Sequence, residues 1–194
     1  MDTYLTIAAT TIAETKEKGS RFIAYAYFVQ SEEAVKEQVE ILRKEHFKAT
    51  HHCYAYRLGT EGKKYRANDD GEPSGTAGRP ILGQIDSFGL TNVLIVVVRY
   101  YGGTKLGTSG LIAAYKESAK EAIQIAEIEE KIVESTLEMR FAYTLLSDVM
   151  QFLKGQGISV IKTEYSDIDI LLTISVRNSL LDTVKTKMED WKIN

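Results

Sequence analysis

Two stretches of this chain hold the residue types best suited to chemistry. One reads Gly102-Gly103-Thr104-Lys105-Leu106-Gly107-Thr108-Ser109-Gly110. Repeated glycines let backbone N–H groups converge. A following helix adds the positive end of its dipole, Lys105 adds a full charge, and Thr108 or Ser109 could cap the helix. That combination suits a phosphate. The pattern is neither G-x-x-x-x-G-K-[ST] nor G-x-G-x-x-G, and a tight strand-to-helix turn would need the same glycines. The other stretch runs from Arg66 through Asn68, Asp69, Asp70, Gly71, Glu72, Pro73, Ser74, Gly75 and Thr76 to Gly78. The carboxylates of Asp69, Asp70 and Glu72 are oxygen ligands of the kind a divalent cation takes. Their spacing is not that of an EF-hand loop, and the same residues suit a turn with Ser74 or Thr76 capping a helix. The segment is read as a recognition loop, and no metal or other cofactor is assigned.

Two smaller groups follow. Arg99-Tyr100-Tyr101 closes an apolar run at the end of a strand, where α/β proteins place ligands; Arg contacts phosphate and Tyr stacks on bases, though both also suit a domain junction. His51-His52-Cys53 lacks the convergent ligands zinc needs, since His46 is the only further histidine and Cys53 the only cysteine. Cys53 is read as a small core residue. No residue is assigned a catalytic role.

These groups must be positioned by regular elements. Arg21 to Val29 and His52 to Leu58 read as strands, and Ser31 caps a helix to about His46. Gly59 to Ser74 reads as a long polar loop, followed by a short helix over Thr76 to Asp86. Val93 to Val98 is continuously apolar, the mark of a central strand buried on both faces. The glycine-rich turn and a helix bearing Leu111, Tyr115, Ala119, Ala122 and Ala126 come next. An acidic patch at Glu127 to Lys131 marks a boundary, giving domains at residues 1–129 and 130–194. Beyond it, Leu137, Met139, Phe141 and Tyr143 alternate as a strand. Leu145 to Leu153 reads as a helix, Ile158 to Val176 as a hairpin, and Leu180 to Trp191 as a last helix. The order β-α-β-β-α is a split βαβ unit whose fourth strand, on Lys192, Ile193 and Asn194, is short or missing.

The bulk properties exclude some classes. One cysteine precludes an intrachain disulfide. Met1 to Thr10 has no signal-peptide pattern, and Val93 to Val98 is too short to span a bilayer, so a cytoplasmic location and no membrane partner are expected. The net charge of −3 opposes generic nucleic-acid coating. Between Lys48 and Lys105, however, eight Lys and Arg face five Asp and Glu, leaving −6 on the rest of the chain. This local excess reads either as chance clustering on a solvated face or as an anion-facing surface.

Taken together, Lys18 to Phe22, Ala49 to Arg57, Asp69 to Gly78 and Val96 to Gly107 resemble the motifs of the YigZ/IMPACT family, in order, over roughly residues 15 to 125. The bacterial pattern continues G-x-G-G-L-V-R-A-Y, whereas Ala113 stands here in place of the arginine. The resemblance implies an α+β protein of two-layer α/β sandwiches. Its N-terminal domain would be like the second domain of a small-subunit ribosomal protein, and its C-terminal ferredoxin-like domain similar to the last domain of elongation factor G. It also implies a link to the regulation of translation. Eukaryotic members share only the N-terminal domain and restrain a translation-inhibiting kinase pathway by occupying its activator protein.

The expected function is therefore a non-catalytic factor binding RNA, the ribosome or a translation-associated protein, with no DNA sequence specificity. Arg57, Arg66, Arg99, Tyr100, Gly102, Gly103 and Lys105 are the expected nucleic-acid or anion contacts, and Asp69, Asp70, Glu72, Ser74 and Thr76 the motif loop. The alternatives are an enzyme acting on a phosphorylated small molecule, with His51 as acid or base and the carboxylates holding Mg²⁺, and a protein-interaction regulator using the loop from Gly59 to Ser74.

Overall fold

A computed structural model describes residues 2–191. The chain is α+β and forms two compact units, one over Tyr4–Lys131 and the other over residues 132–191 with Asp2 and Thr3. In the larger unit the elements run β1 (Thr3–Ile7), β2 (Thr11–Glu17), β3 (Ser20–Phe28), α1 (Glu32–Glu45), β4 (His51–Leu58), β5 (Lys64–Asn68), α2 (Gly78–Ser87), β6 (Val93–Tyr100), α3 (Gly107–Gln124) and β7 (Ile128–Ile132). The smaller unit contains β8 (Glu134–Ala142), α4 (Leu146–Gly155), β9 (Ser159–Tyr165), β10 (Asp169–Arg177) and α5 (Leu181–Glu189). Among the described residues, no helix is long and apolar enough to cross a membrane.

The larger unit is built on an antiparallel sheet in the order β2-β3-β6-β4-β5. Its central strand β6 is buried from Val93 to Arg99, as its unbroken apolar run requires. Val35, Val39 and Leu42 of α1 cover Leu94, Val96 and Val98 on one face. Ile81 and Ile85 of α2, with Leu111, Tyr115 and Ala119 of α3, cover Val93, Ile95 and Val97 on the other. Helices therefore lie on both faces here, where two layers were expected, because alternate residues of β6 are apolar on both sides.

Four strands are absent from the sequence reading. β5 lies within the supposed loop, paired to β4 from Tyr54↔Asn68 to Leu58↔Lys64. It is an edge strand with Lys64, Tyr65 and Arg66 exposed, so it lacks the apolar alternation by which strands are recognised. β2 is similarly polar, and β1 pairs with β7, the strand formed by the acidic boundary patch.

In the smaller unit the antiparallel sheet runs β8-β10-β9, with Val149 and Leu153 of α4 and Val184 of α5 packed on Phe141, Ile170, Leu172 and Ile174. The position assigned to a short fourth strand, Lys192 to Asn194, lies outside the described residues.

Candidate functional site

The register of β4 on β6 sets His51 opposite Arg99. Both stand where the sheet meets the glycine-rich turn and the loop after β5. That loop is held by its own carboxylates. Asp69 Oδ1 accepts the N–H groups of Ala77 and Gly78 at 3.0 and 2.8 Å, and Oδ2 accepts that of Gly75 at 2.9 Å. Asp70 accepts from Arg43 at 2.5 Å and from the His52 N–H at 2.6 Å. Burial raises both carboxyl pKa values, but for Asp69 the three backbone donors, and for Asp70 Arg43 and the His52 N–H, more than offset it and hold the groups below the ordinary carboxylate value.

With its two neighbours so engaged, Glu72 turns inward. Its Oε1 accepts from Arg99 Nη1 at 2.5 Å and from the Tyr115 hydroxyl at 2.8 Å. The Glu72 and Arg99 side chains are only 4% and 6% exposed, a buried ion pair. Arg99 Nη2 also reaches Ser20 Oγ, which accepts the Gly102 N–H as well. Behind them the Cys53 thiol donates to the Tyr115 oxygen at 3.3 Å. Burial pushes both the Cys53 and Tyr115 pKa values far up, so Cys53 is a packed thiol and no nucleophile.

Against this pair opens a cavity of about 440 Å³, lined by Thr50, His51, Glu72, Arg99, Tyr101, Lys105, Thr108 and Leu111 among others. Its size suits a small molecule or a single nucleotide. Lys105 is exposed and makes no ion pair among the described residues. α3 begins beside it with Leu106 as N-cap and no side-chain cap, so Thr108 and Ser109 do not cap it as expected. Its first backbone N–H groups keep their pull on anions. Tyr101 is 48% exposed.

The expected contact residues do not form one surface. Arg57 sits near the far end of β4, about 20 Å from His51 at strand rise, bound to the Gly62 carbonyl and Asp86. Arg66 is exposed on the edge strand β5. Arg99 is at the cavity, but as a buried partner of Glu72 and not as a free cation. Tyr100 faces away, its hydroxyl 2.8 Å from His46 Nδ1, while its neighbour Tyr101 lines the cavity.

Gly103 adopts φ +86° in the turn. Gly102 serves packing. A Cβ there would stand 1.8 Å from the Gly19 carbonyl carbon. Gly102→Ala is therefore expected to cost about 2–3 kcal/mol, since backbone opposes it and cannot rotate away. Gly83→Ala in α2, where a Cβ meets nothing within 4 Å, should instead stabilise by about 0.5–1 kcal/mol. Denaturant titration of both variants checks the contrast.

Within the motif loop, Ser74 is exposed. Thr76 donates to the Pro73 carbonyl, and the capping of α2 falls to Asp69. Among the described residues no three of His, Cys, Asp and Glu gather as metal ligands. Asp69, Asp70 and Glu72 each address different partners, which removes the Mg²⁺ arrangement. Tyr101, one of the candidate Arg99-Tyr100-Tyr101 group, does line the cavity, whereas Tyr115 and Ser20 are site residues that the sequence did not single out for this role. Tyr115 was legible only as part of a helix face, and nothing in its spacing announced its hydroxyl's partner.

Comparison with known proteins places the site in context. The Impact N-terminal domain matches residues 18–123, a span that contains every residue of the site. The chain is 32% identical over 193 residues to the IMPACT family member YigZ of Escherichia coli, covering 98% of this chain and 94% of that protein. It is 34% identical over 167 residues to the IMPACT family member YvyE of Bacillus subtilis, covering 86% and 77%. A crystal structure of a hypothetical protein superposes with a TM-score of 0.74 at 32% identity, covering 98% of this chain and 93% of that one.

Proposed function

We propose a function from one premise, that the chain belongs to the IMPACT family: it is a translation-linked binding protein that takes a phosphate-bearing nucleotide of RNA into the cavity of its larger unit. The observation that carries this reading is the cavity rim. There Lys105 stands without an acidic partner among the described residues, beside the uncapped start of α3 and the exposed ring of Tyr101. The lysine and the helix terminus favour a phosphate, and the tyrosine offers a base a stacking face.

Because Arg57 and Arg66 lie elsewhere, one or two phosphates are engaged and not a long backbone track. Binding should weaken with salt by a slope of about −1 on logarithmic axes, far shallower than for proteins that coat RNA. Lys105→Ala should weaken binding of a short single-stranded RNA about fivefold to tenfold, flatten the salt slope and leave the melting temperature unchanged. Fluorescence anisotropy at several salt concentrations, with co-sedimentation on ribosomes, tests this. Binding that ignores both salt and Lys105 would overturn it. The alternative, an enzyme acting on a phosphorylated small molecule, keeps His51, Glu72 and Lys105 in one cavity but loses Asp69 and Asp70. It would declare itself as turnover of such a compound.

A further inference from the structure

We infer that the inner end of the cavity recognises a vicinal diol, so that the ligand is a ribonucleoside 5′-phosphate with free 2′- and 3′-hydroxyls; this rests on the reading of the cavity as a nucleotide site. Three groups at the inner end lack partners. Glu72 Oε1 is saturated by Arg99 and Tyr115, whereas Oε2 has no hydrogen bond among the described residues. His51 Nδ1 lies 2.8 Å from the Asp70 carbonyl oxygen, which can only accept. The proton therefore sits on Nδ1, and in the neutral ring Nε2 is an acceptor, 3.8 Å from Glu72 Oε1. Arg99 lines the same cavity, 5% exposed, and its Nε–H is buried without an acceptor.

Two acceptors and one donor, all partly or wholly withdrawn from water, define the complement. A phosphate only accepts and would face the Glu72 carboxylate. An ammonium only donates and would leave Arg99 Nε unfilled. A hydroxyl does both, and two adjacent hydroxyls can donate to Glu72 and His51 while one accepts from Arg99. The outer end is cationic, with Lys105 and the start of α3. One molecule that offers phosphate to the rim and a hydroxyl pair to the floor is a ribonucleotide with an unblocked ribose. Such a group occurs free in solution and at the 3′ end of RNA. Removing the 2′-hydroxyl would leave a buried polar group unpaired, which discriminates strongly between otherwise identical ligands.

Calorimetry on the full-length protein tests this with the four ribonucleoside 5′-monophosphates, each against its 2′-deoxy counterpart. A second pair of probes is a short RNA ending in a 2′,3′-diol and the same RNA ending in a 3′-phosphate. The ribo form should bind at least tenfold more tightly. His51→Ala, shown to be folded by its melting curve, should shrink that ratio, and Lys105→Ala should weaken both forms equally. Preference for the diol-ended RNA identifies an RNA end as the source. Discrimination among mononucleotides without RNA binding identifies a free nucleotide, upholding the diol and sinking the RNA reading. Equal affinity of ribo and deoxy forms overturns the diol and leaves the RNA reading standing. If no probe binds, both fall.

Discussion

Glu72→Ala is expected to destabilise the larger unit by about 3–5 kcal/mol, the cost of stranding the buried Arg99 guanidinium. Arg99 is 5% exposed, its Nη1 leans on Glu72, and its other contacts are neutral, a 3.3 Å hydrogen bond to Ser20 and the rings of Phe22 and Tyr101 at 5.4 and 5.7 Å. Without the carboxylate the charge would have to be hydrated through the cavity or forced outward through packed side chains. Tyr115 would also lose the acceptor of its hydroxyl. Removing both charges should cost much less than removing one, so a Glu72→Leu, Arg99→Met double variant is expected to recover most of the loss. Urea unfolding of the two single variants and the double variant measures the coupling. A Glu72→Ala loss below about 1 kcal/mol would show that the pair does not bear on stability. The recovered double variant should be folded yet fail to bind nucleotides, because both side chains line the cavity.

Asp69→Ala is the second large effect, about 3 kcal/mol. One carboxylate closes three backbone N–H groups, and charge-assisted bonds of this kind are among the stronger ones. Two of its donors, on Ala77 and Gly78, are at buried residues and would be left without an acceptor. A unit of this size should lose on the order of 10 °C in melting temperature.

The same contact has a pH signature. The folded-state pKa of Asp69 is depressed below its ordinary value of 3.8, so its contribution is complete above about pH 4 and disappears as pH falls through the lower folded value. The stability gap between wild type and Asp69→Ala should therefore be constant near neutrality and narrow in acid. Thermal melts from pH 7 to pH 2.5 would reveal it. A gap that stays constant throughout would mean that the carboxylate charge plays no part.

The amino-acid sequence by itself determined much of this protein. Val93 to Val98 announced the central strand because only a strand covered on both faces tolerates six consecutive apolar residues. The alternation around Met139 and Phe141 and the helical spacing of Val149 and Leu153 delivered the smaller unit, because burial on one face imposes a period that a single segment displays. Four ordered motifs were enough to point to the family. In each case the information is local to the segment.

What the tertiary structure alone decided is which side chains meet. Asp69, Asp70 and Glu72 are neighbours of one chemical type, yet the loop path makes Asp69 a helix cap, Asp70 a clamp on Arg43 and Glu72 the floor of a cavity. Arg57 and Arg99 looked like members of one basic group. The antiparallel register puts Arg57 opposite Val93 and His51 opposite Arg99, so the two arginines stand near opposite ends of the sheet. Strand β5 escaped notice because hydrogen bonding to β4 holds it, not an apolar face of its own. Such pairings depend on register and on backbone groups distant in sequence, and residue spacing within one segment carries no record of either.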